Sequence, residues 1–174
     1  MKIKFILVLI FLISGYLCLH RLDNTYFWDD EAHVGIIAKN FLATGQLSGW
    51  DGRNLYGYRN GGALDENLCT INPPLDILLC AMSFKIFGIS TWAARIPFSL
   101  TGIISLFFFV LLIRDNFGKE YWLLFYTFGL LALSPVYILF VRQCRYFSLS
   151  ILFSVLCFYV YYRFLNTKRI AYVW

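Results

Sequence analysis

Five long runs of this chain leave almost no room for charge. The first ends at Leu19 and has no charged side chain after Lys4; the others cover residues 73–89, 96–113, 121–141 and 147–162, and among these only 73–89 holds charges, Asp76 and Lys85. A helix rising about 1.5 Å per residue crosses a hydrocarbon layer of about 30 Å in runs close to these lengths. Inside lipid every backbone N–H and C=O needs a partner within the protein, so a spanning segment is a helix or part of a closed barrel. No ten-residue alternation of apolar and polar side chains runs through the chain, which removes the barrel. The expected fold class is all-α integral membrane.

Composition agrees with that class. Of 174 residues, 60% are hydrophobic, 20% aromatic and 14% charged, far from the proportions of a soluble domain. A formal charge of +5 would suggest nucleic acid in a soluble chain, but here Lys and Arg lie mostly in short segments between apolar runs, where they orient spans. No nucleic-acid partner is expected. Lys2 and Lys4 resemble the start of a signal peptide, yet no small-x-small cleavage site precedes Leu19, and Gly15-Tyr16-Leu17-Cys18 is too bulky for a lipoprotein signal. Residues 1–20 therefore read as an uncleaved anchor with a cytoplasmic N-terminus, 21–72 as an extracytoplasmic loop and 73–174 as a helical membrane region.

Two topologies follow. If all five runs span, Arg163, Lys168 and Arg169 face outward, against the positive-inside tendency. If residues 73–89 lie in, or re-enter, the outer half of the membrane, those three join Arg114 and Lys119 in the cytoplasm, while Lys85, Arg95, Arg142 and Arg145 face outward with the loop. The second gathers the charges better and is preferred. Residues 170–174 resemble the opening of another span, so the chain reads as the N-terminal part of a longer protein or as a degraded reading frame. Pro135 is expected to kink the fourth run, with neighbouring helices satisfying the freed carbonyl.

Several chemistries have no support. Five cysteines are present, but only Cys69 lies clearly in the loop, so they do not make a disulfide framework. There is no CxxC pair, no HExxH and no P-loop glycine pattern, which removes zinc, redox and nucleotide-hydrolysis motifs.

The loop is where ionisable groups concentrate. Residues 30–44 have the pattern of an amphipathic helix, with Ile36, Ile37, Phe41 and Leu42 apolar and an end before Gly45. Such a helix would lie along the membrane surface. Asp29 and Asp30 fall in its N-cap region, and His33 shares a face with Asp30. Tyr26, Phe27 and Trp28 make an interfacial anchor, and residues 49–62 are rich in the glycine, asparagine and aromatic side chains of a binding loop.

The segment Trp28-Asp29-Asp30-Glu31-Ala32-His33-Val34-Gly35 resembles the Asp-Glu motif in the first outer loop of GT-C glycosyltransferases, closest to the protein O-mannosyltransferases. Further similarities follow in order. Asn72-Pro73-Pro74-Leu75 resembles the His-Pro-Pro-Leu signature of the dolichyl-phosphate-mannose and aminoarabinose transferase relatives, and Phe87-Gly88-Ile89-Ser90 with Ala94-Arg95-Ile96-Pro97 is similar to their Phe-Gly-x-Ser and Arg-Leu-Pro segment. Arg142-x-x-Arg145-Tyr146 resembles the arginine-containing turn that follows. Two departures stand out: Asn72 replaces a common His, and Tyr146 sits near where some bacterial relatives carry a second Asp.

The resemblance implies a GT-C-like helical bundle that moves a sugar from a polyprenyl-phosphate donor to a protein, glycolipid or polysaccharide acceptor, on the outer face of the plasma (inner) membrane. An acceptor hydroxyl must lose its proton as it attacks, and Asp30 is the candidate general base. Glu31 would orient the acceptor or a divalent ion, Mg or Mn. Arg142 and Arg145, backed by Lys85 and Arg95, would stabilise the departing lipid phosphate, with His33 a further candidate for substrate contact. A non-catalytic scaffold or truncated pseudo-enzyme of the same superfamily is the alternative, and a transporter is weaker because the charges gather around the loop.

Overall fold

Apolar runs become helices here, and the computed structural model describes residues 2–51, 53, 73–118 and 120–167. Among them are seven helices and no strand: α1 Lys2–Leu19, α2 Asp29–Thr44, α3 Pro74–Phe87, α4 Thr91–Phe117, α5 Tyr121–Ala132, α6 Pro135–Val141 and α7 Phe147–Thr167. Cys69, Asn72, most of the glycine-rich loop, Lys119, Lys168, Arg169 and residues 170–174 lie outside the described residues. α4 and α7 are each long and apolar enough to cross a membrane. The bent pair α5 and α6 makes a third candidate, and α1 is apolar but shorter. This is an all-α membrane fold. The run at 73–89 yields only the 14-residue α3, which is not among the helices able to span.

Contacts divide the chain into two units. One holds residues 1–20, 99–142 and 147–174. Its core is built from Ile10, Cys18, Leu106, Phe128, Ala132, Tyr137 and Val141. The break between α5 and α6 bends the chain by 56° at Ser134-Pro135. Pro135 starts α6, where its missing N–H costs nothing, and Ser134 Oγ accepts from the Tyr137 N–H at 3.4 Å. The Leu131 carbonyl that Pro135 would otherwise need to serve is taken by the Ser134 N–H at 3.1 Å. The kink is thus satisfied locally and not, as expected, by neighbouring helices.

Tyr137 ties the bent pair to α4. Its hydroxyl bonds the Gly102 carbonyl at 2.7 Å and Ser105 Oγ at 2.8 Å. A Cβ on Gly102 would stand 2.6 Å from Val141 Cβ, so only glycine lets α6 come this close, as is usual where helices pack in lipid. At one end of this unit Lys4 lies over the Tyr121 ring and Arg163 pairs with Asp115, which also holds Arg114. Lys4, Arg114 and Arg163 thereby share an end, as positive-inside residues would.

The second unit holds residues 21–98 and 143–146. In it α2 packs against α3, burying Val34, Ile37 and Ala38 on one side and Ile77, Cys80, Ala81 and Phe84 on the other. Of the apolar residues read from sequence as the membrane-facing side of α2, only Ile37 is buried; Ile36 and Phe41 are half-buried and Leu42 is exposed. α2 ends as its sequence predicts, with Gly45 at φ 75° and its N–H on the Phe41 carbonyl at 2.9 Å. Pro97 lies inside α4 and cannot donate to the Ala93 carbonyl; Ser83 Oγ of α3 donates to that carbonyl instead.

Substituting Gly102→Ala is expected to destabilise the protein by about 1–3 kcal/mol through overpacking against Val141. Gly129→Ala, whose added Cβ would meet Ile10 at an ordinary 3.8 Å, is expected to be neutral or mildly stabilising. Thermal unfolding of both variants in detergent measures the difference.

Candidate active site

The first turn of α2 carries Asp29, Asp30 and Glu31, three carboxylates beside the unpaired N–H groups and positive dipole end of a helix. Trp28 is the N-cap residue, so Asp29 and Asp30 are the first two helical residues and do not cap. Glu31 does that work, its Oε2 accepting from the Trp28 N–H at 3.1 Å.

Glu31 is also the centre of a buried ion pair. It is 2% exposed; Oε1 accepts from Arg95 Nε at 2.8 Å and from the Cys144 N–H at 2.9 Å, and Oε2 accepts from Arg95 Nη2 at 2.7 Å. With Trp28 this makes four donors, the capacity of a carboxylate. Burial alone would raise the Glu31 carboxyl, but Arg95 and the two N–H groups outweigh it and hold it below the usual carboxylate value. Arg95 is equally committed. Its Nη1 donates to the Leu22 and Thr25 carbonyls at 2.7 and 2.9 Å, and Nη2 also donates to the Tyr26 carbonyl at 3.0 Å. All five guanidinium N–H groups are therefore used.

The Cys144 bond has a consequence one residue on. Arg145 is delivered to α2 and pairs with Asp30 Oδ2 at 2.7 Å. The Asp30 side chain keeps 34% of its surface exposed, and its other oxygen has no partner among the described residues. His33, on the same helix, is buried; burial pushes its imidazole below the ordinary value, opposed by the charges of Asp30 and Asp29. Lys85 is exposed in the last turn of α3. Arg142 belongs to the other unit, where its Nη2 donates to the His20 carbonyl at 2.7 Å. Of the residues predicted from sequence, the structure thus brings Asp30, Glu31, Arg95 and Arg145 into one connected network.

Residues 72–174 match a known family, described as dolichyl-phosphate-mannose-protein mannosyltransferase, over more than half of the chain. The chain belongs to that family. No curated protein and no solved structure matches it. The family is one of mannosyltransferase-type glycosyltransferases, of GT-C type. Arg95 and Arg145 lie within the matched stretch and Asp30 and Glu31 before it, so the two ion pairs join the family region to the preceding loop.

In this mannosyltransferase-family chain the donor set does not suit a divalent ion at Glu31, because protein donors already fill that carboxylate. Among the described residues no three His, Cys, Asp or Glu side chains converge. A second buried acid escaped the sequence reading. Asp76, in the first turn of α3, is 1% exposed, and neither oxygen has a hydrogen-bond partner among the described residues. Burial pushes its carboxyl up to about 6. The buried Cys144 thiol meets Cys80 and is pushed well up by burial, by that thiol and by the charges of Glu31 and Asp76, so it stays protonated. Asp76 in an apolar run was the available signal; nothing in the sequence marks the backbone N–H of Cys144.

Two outcomes follow. Glu31→Gln leaves Arg95 charged and unpaired in the interior and is expected to cost about 3–5 kcal/mol in unfolding measurements. Asp76 holds its proton more tightly folded than unfolded, so its effect on stability is most favourable below pH 4 and is lost as pH rises towards 6. Asp76→Asn is therefore expected to stabilise the protein at pH 7, by at most about 3 kcal/mol, and to make no difference below pH 4. Melting curves across that pH range test the sign.

Proposed function

We propose that this chain's site transfers a sugar from a polyprenyl-phosphate donor to an acceptor hydroxyl at the outer membrane surface, with Asp30 as general base. The observation that carries the reading is the contrast within one turn of α2: Glu31 is saturated and buried, while Asp30 keeps an unpartnered oxygen at an accessible surface beside a cation. A general base needs that freedom, because it must accept a proton from a group outside the protein. The family's character as dolichyl-phosphate-mannose-protein mannosyltransferases supports a dolichyl-phosphate-mannose type of donor and a protein acceptor.

In the reaction the acceptor oxygen bonds to the anomeric carbon and passes its proton to Asp30, while the bond from that carbon to the phosphate oxygen breaks. Negative charge moves from the carboxylate to the departing lipid phosphate. Arg145 is placed for both states: it balances Asp30 before transfer, and as Asp30 becomes neutral its attraction turns to the phosphate. Arg95 and Glu31 act as positioning residues, since all their donors and acceptors are used within the protein. His33 is buried in α2, and exposed Lys85 is the further cation open to a phosphate. The gathering of Lys4, Arg114 and Arg163 at one end of the spans supports an outward loop.

Asp30→Asn is expected to lower transfer of radiolabelled mannose from polyprenyl-phosphate-mannose by about 10²–10⁴-fold with folding intact. Arg145→Gln is expected to lower it as well, and Asp76→Asn to retain it. A wild-type rate in Asp30→Asn, measured in vesicles at equal protein level, would sink the assignment.

A further inference from the structure

The cysteines show no pairing in the sequence, yet the second unit brings two of them together. Cys80 lies on the buried side of α3 and Cys144 in the turn before α7; both are free thiols at 0% exposure, and the Cys144 thiol meets that of Cys80. Asp76 stands four residues before Cys80 on the same side of α3, and its charge also reaches Cys144, so this turn sits over one stripe of the helix. The other described cysteines, Cys18 and Cys157, belong to the first unit.

Both thiols are carried on backbone that is held. The Cys144 N–H is fixed to Glu31 at 2.9 Å, and its neighbour Arg145 to Asp30 at 2.7 Å. Helix α3 packs on α2 and is tied by Ser83 to the Ala93 carbonyl. A disulfide requires sulfurs that approach on backbones which need not move, and contact between two held elements supplies this.

We propose that Cys80 and Cys144 close to a disulfide as the unit folds on the outer side of the membrane, joining α3 to the turn that delivers Arg145. The proposal rests on the outward placement of the loop given above, which puts the thiols in an oxidising compartment, and not on the sugar-transfer reading. The co-reactant is a disulfide-carrying thiol oxidant. One cysteine thiolate attacks a sulfur of the oxidant, the second cysteine thiolate then attacks the mixed disulfide, and the oxidant leaves as a dithiol that has taken up both protons and both electrons. Two S–H bonds and one S–S bond are broken, and the same number of each is formed. Because both sulfurs are fully buried in the finished unit, the exchange precedes its closure, and afterwards the same burial shields the bond from reductants.

The test uses the whole unaltered chain in closed spheroplasts of a bacterium with a thiol-oxidising periplasm. They are treated with a membrane-impermeant amine reagent, unfolded in detergent with N-ethylmaleimide and no reductant, and digested for mass spectrometry. Lys39, exposed on α2, reports the side on which the second unit lies. Expected are a modified Lys39 and a pair of peptides joined through Cys80 and Cys144, which separate when reductant is added after unfolding. A modified Lys39 with maleimide on Cys80 and Cys144, or with either joined to Cys69, overturns the pairing and leaves the outward placement standing. Lys39 modified only after the membranes are opened places the unit on the inner side, which removes the oxidising compartment and overturns the proposal through its premise.

Discussion

The pairing of Glu31 with Arg95 is the interaction on which the second unit depends. Taking two charges out of water costs more than their attraction returns unless every remaining donor and acceptor is met. Here the requirement is met by parts of the chain far apart in sequence. Arg95 gathers the carbonyls of Leu22, Thr25 and Tyr26 as the chain leaves α1, and Glu31 gathers the N–H groups of Trp28 and Cys144. One pair therefore sets the entry to α2, the start of α4 and the turn before α7.

That rigid pair sits beside a looser one. Asp30 and Arg145 are more exposed than Glu31 and Arg95, and each is held in place through a bond made by the adjacent residue: Asp30 follows from the Glu31 cap, Arg145 from the Cys144 N–H. Charge that is fixed suits a scaffold, whereas charge that can change partner suits a proton transfer coupled to the departure of a phosphate. The division falls between consecutive residues of one helical turn.

Much of this was legible in the residues. Charge-free runs announce membrane helices because lipid offers a backbone no partners, and Gly45 ends α2 and Pro135 breaks α5 from α6 where their backbone limits require it. The Asp-Glu motif and the Arg142-to-Arg145 turn pointed to the region where an ion pair forms. What could not be read was which acid would be saturated. Asp30 and Glu31 carry the same functional group, and their difference lies in how many donors arrive from elsewhere, among them a backbone N–H that has no residue-type signature. For residues 73–89 the distribution of basic residues already favoured a reading in which the run does not span, and the structure gives that stretch only the 14-residue α3. Asp76 stood out in the sequence only as a charge in an apolar run, and that both its oxygens are buried without a hydrogen-bond partner is known only from the structure.

The bond from Ser83 to the Ala93 carbonyl imposes an order on assembly. Pro97 leaves that carbonyl without its helical donor, so α4 alone would enter the bilayer with a bare acceptor near its start. Ser83 emerges from the ribosome first, ten residues ahead of Ala93. The partner for the defect is thus made before the defect itself, and a chain without the serine would carry a helix with an unanswered oxygen.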